Sequence, residues 1–122
     1  MSGQTAHLLG QWGERLVAED LRRRGFSILA ENYRCRFGEI DLIAADEQYL
    51  SFTEVKLRRS RSFVPACCAV DWRKQRKLRT TAEHYLAKYP TQLQPRFDVA
   101  EVYAPQGLQT AHPAIYYIIN AF

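Results

Sequence analysis

Gly38-Glu39-Ile40-Asp41-Leu42-Ile43-Ala44-Ala45-Asp46, followed two residues later by Tyr49-Leu50-Ser51-Phe52-Thr53-Glu54-Val55-Lys56-Leu57, is the stretch that decides the fold. Each run is short and mostly apolar, and together they predict two adjacent strands, Gly38 to Asp46 and Tyr49 to Leu57. Strand residues alternate faces, so Leu50, Phe52, Glu54 and Lys56 share one side. That side begins apolar and ends in a carboxylate and an ammonium, which are costly to bury unless they pair or hold an ion. If Glu47 and Gln48 form a two-residue loop, Asp46 pairs with Tyr49. The register then sets Asp41 opposite Glu54 on the same face, with side chains about 5 Å apart. Like charges facing each other destabilise a sheet unless a cation sits between them. Glu47-Gln48 is not a preferred hairpin turn, however, and a three-residue loop would carry Asp41 to the other face. Glu39 shares the face of Asp41, either as a surface residue or as an outer contributor.

Upstream, Leu9, Trp12, Leu16 and Val17 recur at helical spacing from about Thr5 to Arg24, and Gly25 stands where that helix would stop. Glu14 lies on it. Its neighbours Gly10, Val17, Ala18 and Leu21 are uncharged, which turns Glu14 toward the sheet or its margin. Gly10 and Gly13 would permit a close approach of helix to sheet. Phe26 to Cys35 reads as a first strand. Downstream of Leu57 an Arg/Ser-rich stretch with Pro65 predicts a mobile loop. Asp71 is then the N-cap of a helix running to about Lys88, with Leu78, Ala82, Tyr85, Leu86 and Tyr89 as its apolar stripe and Pro90 as its end. Arg96 to Ala104 and Ala114 to Phe122 are two more strands. The order α-β-β-β-α-β-β is that of an α/β fold, a mixed sheet with helices packed against it. No linker or repeat divides the 122 residues, so one domain spanning 1–122 is expected.

Hydrophobic residues make up 47% and charged residues 25%, as in an ordinary soluble protein, and the net charge is +4 with a pI near 9.1. The excess charge is clustered in Arg22-Arg23-Arg24, in Arg58, Arg59 and Arg61, and in Arg73, Lys74, Arg76, Lys77 and Arg79. Such runs serve either as solvated surface or as a phosphate-binding face. Cys35, Cys67 and Cys68 lack Cys-x-x-Cys spacing, and His7, His84 and His112 are scattered, so no zinc pattern is present. The odd cysteine count and the polar N-terminus favour a reducing compartment, with the cytoplasm as the expected location. No apolar run approaches the roughly 20 residues that would span a membrane.

Glu14, Asp41, Glu54 and Lys56 are therefore the candidate reactive cluster. Carboxylate oxygens suit Mg²⁺ or Mn²⁺, which lowers the pKa of a bound water and polarises a phosphoryl oxygen. A lysine near that water orients it and offsets charge on the phosphorane. No Ser-His-Asp grouping and no Gly-rich phosphate loop competes.

With Gly13-Glu14 on a preceding helix, then Gly38-Glu39-Ile40-Asp41 and Glu54-Val55-Lys56, the chain resembles the PD-(D/E)XK nuclease superfamily. Within it, it is similar to the bacterial YraN-like family, whose described relatives are the archaeal Holliday-junction resolvases. Glu31-Asn32-Tyr33-Arg34, Arg96-Phe97-Asp98-Val99 and the closing Ile119-Asn120-Ala121-Phe122 extend the resemblance over nearly the whole chain. Ile40 replaces the superfamily's proline before the first acid. The resemblance implies a restriction-endonuclease-like fold, with Asp41 and Glu54 as main metal ligands, Glu14 as the helix-borne acid and Lys56 as the catalytic lysine. It also implies an endonuclease acting on branched or structured DNA, with homodimerisation where two symmetric cuts are made. Arg34, Arg58, Arg59, Arg61, Arg73, Lys74 and Lys77 are the expected nucleic-acid contacts. A non-catalytic nucleic-acid-binding scaffold for a repair partner and a nuclease acting on RNA are the competing readings. Among the remaining residues, Asp98 is assigned a hydrogen-bonding or capping role in preference to a metal role, Gln75 reaches the site or packs as an amide, and Tyr33 and Trp72 serve as core aromatics or as stacking platforms. Tyr116, Tyr117, Ile118 and Ile119 fill the core or form a dimer edge.

Overall fold

A computed structural model describes residues 3–60 and 70–122. The elements run α1 (Gly3–Arg23), β1 (Ser27–Cys35), β2 (Gly38–Ala45), β3 (Tyr49–Arg58), α2 (Trp72–Lys88), β4 (Gln94–Tyr103), a 3₁₀ turn (Gly107–Gln109) and β5 (Ala114–Ile118). This is the mixed α/β arrangement expected. The loop with Arg61, Pro65, Cys67 and Cys68 lies outside the described residues.

The five strands form one open sheet in the order β1-β2-β3-β4-β5. The β3–β4 pair is parallel and the other three pairs are antiparallel. A parallel pair needs a long crossover, which here contains α2. The α2 face of the sheet packs Ile43, Leu50, Phe52 and Val99 against Leu78, Ala82 and Tyr85. The opposite face packs Leu42, Ala44, Ala100 and Val102 against Val17, Ala18 and Leu21 of α1. A Cβ on Gly13 would lie 3.4 Å from Leu57 Cδ1, so this glycine permits the close seat of α1 on β3. Gly25, at φ +95°, ends the helix. Its N–H bonds to Arg22 O and that of Phe26 to Leu21 O, the double closure that a left-handed residue allows.

The β2–β3 turn is two residues long. Leu42 faces Thr53, Ile43 faces Phe52, and Asp46 N–H donates to Tyr49 O. Glu47-Gln48 works here because Asp46 Oδ1 accepts from Gln48 N at 2.8 Å and Tyr49 N at 2.7 Å, a side chain doing the work of a turn-forming backbone. β5 is shorter than expected. Asn120 takes a left-handed φ of 53° and donates its N–H to Asp98 Oδ1, which turns the chain out of the strand. Asp98 also accepts from Ser51 Oγ and from Arg96 Nε, so it is a capping and pairing residue in the core. Tyr117 packs toward α1 and Ile118 toward the α2-side core, while Tyr116 and Ile119 are exposed. Among the described residues no helix is long and apolar enough to cross a membrane.

Asp20 on α1 accepts from the Tyr117 hydroxyl at 2.6 Å and from Arg24 Nε at 2.8 Å. Burial alone would raise its pKa, but these two partners outweigh it and hold the carboxylate below its ordinary value. The resulting stabilisation is present above the unfolded pKa, about 3.9, and is lost as pH falls through the lower folded value. Asp20→Asn is therefore expected to lower Tm by a few degrees at pH 7, with the gap to wild type narrowing as the pH is taken below the unfolded value of about 3.9. A gap of the same size at pH 7 and below that value, read by thermal unfolding, would contradict this account.

Candidate active site

The site is made where the hairpin of β1 and β2 changes face. Along β2, Leu42 and Ala44 face α1, whereas Ile40 and Ile43, three residues apart, both belong to the α2-side core. Regular alternation cannot place them so. Along β1, Ala30 and Tyr33 share that core in the same irregular spacing. The register passes from Glu31 opposite Leu42 to Tyr33 opposite Ile40 and skips Asn32 and Asp41. Asn32 has φ 53°, a conformation that asparagine tolerates better than most residues. Both strands thus turn over at one level, and Asp41 is the residue set free from the face pattern.

Asp41 turns toward β3. Pairing of β2 with β3 ends at Leu42 opposite Thr53, and the next free N–H on β3, that of Val55, is accepted by Asp41 Oδ2 at 2.9 Å. The expected neighbourhood of Asp41 and Glu54 therefore holds, with a side chain replacing the backbone rung between them. The Asp41 and Glu54 carboxyls are close enough to interact, and Glu14 of α1 is close enough to act on Asp41 and on the Asn32 side chain. Asp41 is 9% exposed and Glu54 7%. Burial first and the Glu54 charge second push the Asp41 carboxyl up to about 7, against the pull of the Val55 N–H. Burial also raises Glu14, with the Asn32 bond opposing it and the charges of Glu39 and Glu54 adding to it.

Two lysines face these acids. Lys74 Nζ of α2 lies 2.9 Å from Glu54 Oε1, and Lys56 Nζ lies 3.9 Å from the same atom. Burial and the Lys74 charge lower the Lys56 pKa. For Lys74 burial acts the same way, but the bond and charge of Glu54 outweigh it and raise the pKa. Lys74, expected among nucleic-acid contacts, thus sits inside the acidic cluster. The signal was legible in the sequence, because Lys74 stands four residues before Leu78 and continues the apolar stripe of α2 inward. Asn32 is a second site residue not singled out in advance, since a left-handed kink in mid-strand leaves no mark on periodicity.

The other expected contacts divide. Arg34 pairs with Glu39 at 2.8 Å across the β1–β2 hairpin, and Glu39 is a surface residue beside Glu14. Arg58 pairs with Glu101 at 3.6 Å, its Nε buried and without a hydrogen-bond partner. Arg59 lies at the protein's surface near Gly107, Arg73 and Lys77 are exposed on α2, and Arg61 is outside the described residues. Gln75 donates to Val70 O at 2.9 Å and so holds the entry of α2. Tyr33 is a packed aromatic, bonded through its hydroxyl to His84 Nδ1 at 2.7 Å.

Among the described residues, no group of three or more His, Cys, Asp or Glu side chains forms a ready metal cage. The donor set is instead a buried carboxylate pair with a third carboxyl, that of Glu14, beside it. That set fits a hard divalent cation of the Mg²⁺ type, which keeps several waters and needs only one or two protein carboxylates plus substrate oxygens. It does not fit a soft metal, for want of thiolate or imidazole.

With this geometry in view, the chain matches the family described as "Uncharacterised protein family UPF0102" over residues 13–102. A UPF0102 protein of Alkaliphilus metalliredigens is 43% identical over 115 residues, covering 93% of this chain and 96% of the relative. One from Caldanaerobacter subterraneus is 41% identical over 93% of each chain. One from Nocardia farcinica is 46% identical over 81% of this chain and 79% of its own. The chain belongs to the UPF0102 family.

The buried pair makes a prediction for stability. In EDTA at pH 8, Asp41→Asn removes one of two adjacent buried charges while keeping an acceptor for Val55 N–H, and Tm is expected to rise. Millimolar Mn²⁺ is expected to raise the wild-type Tm by several degrees and to leave the variant's Tm in place. A wild-type Tm indifferent to Mn²⁺ in differential scanning fluorimetry would count against a cation site here.

Proposed function

We propose that this UPF0102 protein is a Mg²⁺- or Mn²⁺-dependent nuclease, an endonuclease that hydrolyses phosphodiester bonds in branched or structured DNA. The observation that carries the reading is the buried Asp41–Glu54 pair with Glu14 on one side and two lysines on the other. Asp41 and Glu54 are the residues assigned to hold the cation, with Glu14 at its margin. When bound, that ion supplies Lewis acidity and an acidified water.

The remaining chemistry belongs to the chain. Val55 N–H and the Glu14 carboxyl fix the orientation of Asp41. Lys56, partly desolvated, presents its ammonium beside Glu54, where it orients the attacking water and balances charge gathering on the phosphorane. Lys74 neutralises Glu54 from α2 and offers a second ammonium to the scissile phosphate. Cutting a four-way junction at two symmetric positions calls for a homodimer. The proposed workplace is the cytoplasm.

One observation favours a second reading. Glu54 already has a close cationic partner in Lys74, as expected of a self-satisfied scaffold that binds nucleic acid without cutting it. Cleavage of linear, flapped and four-way-junction DNA and matched RNA in Mn²⁺ separates the two. The nuclease reading expects cutting by wild type, none by Asp41→Asn, and a loss of about 100-fold or more for Lys56→Ala. Cutting that survives Asp41→Asn would sink the assignment. Tight, salt-sensitive binding without cutting would favour the scaffold.

A further inference from the structure

Of the aromatic side chains exposed among the described residues, Phe37, Trp72, Tyr89 and Tyr116, two line one groove. Trp72, the first residue of α2, is 60% exposed, and Phe37, at the tip of the β1–β2 hairpin, is 37% exposed. They line a groove of about 380 Å³ with Arg73, Arg76, Lys77 and Thr80, and no carboxylate is among these lining residues. Trp72 contributes nothing to the buried stripe of α2, which is Leu78, Thr81, Ala82 and Tyr85. Its ring is flanked instead by guanidinium groups, with Arg73 at 5.5 Å and Arg76 at 5.9 Å from the centroid. Arg36 lies over Phe37 at 4.7 Å.

The groove is held in shape. Phe37 meets the His84 ring edge-on at 6.0 Å, and His84 is bonded to Tyr33, so the hairpin tip is tied to α2 from within. Preorganisation of this kind lowers the cost of binding. The groove also shares its two walls with the carboxylate site. Lys74, two residues past Trp72, reaches Glu54, and Gly38, next to Phe37, opens the strand that carries Asp41. Phe37 directly precedes β2, and Asp41 is the fourth residue of that strand.

We infer that this groove binds an unpaired stretch of nucleic acid, stacking bases on Trp72 and Phe37 and holding phosphates with Arg73, Arg76 and Lys77. Exposed aromatics interleaved with cations are how proteins hold single strands, because every base has a face to stack and every linkage a charge. A base-paired duplex hides those faces. The inference rests on the nucleic-acid reading above and narrows it, since the substrate then carries a single-stranded segment beside the scissile bond.

The test uses the full chain in EDTA, where no cutting occurs. Tryptophan emission is followed while a short oligothymidylate, the matching oligouridylate or a blunt duplex of equal charge is added. Trp12 is the other tryptophan of the chain and gives the background signal. The expected result is quenching by single strands that Trp72→Phe abolishes while affinity is largely kept. Trp72→Ala is expected to weaken single-strand binding by roughly five- to a hundredfold and duplex binding little. Arg76→Ala, which leaves both rings in place, is expected to flatten the salt dependence of binding. Both deoxyribose and ribose strands are expected to bind, the stronger one naming the source. Unquenched emission at saturation, equal loss on duplex and single strand, or no strand binding at all would overturn the inference. Mn²⁺-dependent cleavage by a chain whose Trp72→Ala variant binds strands like wild type would overturn the groove alone and leave the nuclease reading standing.

Discussion

Two carboxylates buried side by side, Asp41 and Glu54, are the constraint around which the sheet is arranged. Each costs several kcal/mol to desolvate alone, and their mutual repulsion adds to that. The chain offsets this locally with one backbone N–H, one neighbouring carboxyl and two ammoniums. Of these, the Val55 N–H reaches the Asp41 side chain because the backbone pairing of β2 with β3 stops at Leu42 and Thr53. The kink at Asn32 and Asp41 ends the β2–β3 ladder early, exposes the Val55 N–H and leaves room beneath α1. Gly13 lets α1 come close enough for Glu14 to enter.

Much of this was legible in the sequence, for identifiable reasons. The placement of Asp41 near Glu54 followed from the two-residue spacing between Asp46 and Tyr49, and the doubtful turn was rescued by a side chain whose role is visible only in three dimensions. The α2 stripe and the Gly25 stop were legible because 3.6-residue periodicity and glycine's tolerance of positive φ leave marks in sequence. The face switch at Asn32 was not, because one left-handed residue preserves register while inverting the pattern on both sides. The shortening of β5 depended on Asp98, a residue far away in sequence.

The basic residues show what composition leaves open. Read as runs, they suggested either solvated surface or a phosphate-binding face. In the fold, Arg34 and Arg58 pair with Glu39 and Glu101, and Lys74 pairs with Glu54. What remains grouped around exposed aromatics is Arg73, Arg76 and Lys77. The outward face of α2 thus carries Arg73, Arg76 and Lys77 and its inward side sets Lys74 against Glu54, and a single helix holds the two sets in fixed relation.

The central claim is that Asp41 and Glu54 together form a divalent-cation site, and isothermal titration calorimetry of Mn²⁺ into the metal-free chain tests it most directly. The account predicts one ion per chain for wild type and loss of that binding in Glu54→Gln, with the fold of the variant intact by circular dichroism. Equal Mn²⁺ binding by wild type and the folded variant, or none by wild type, would contradict it.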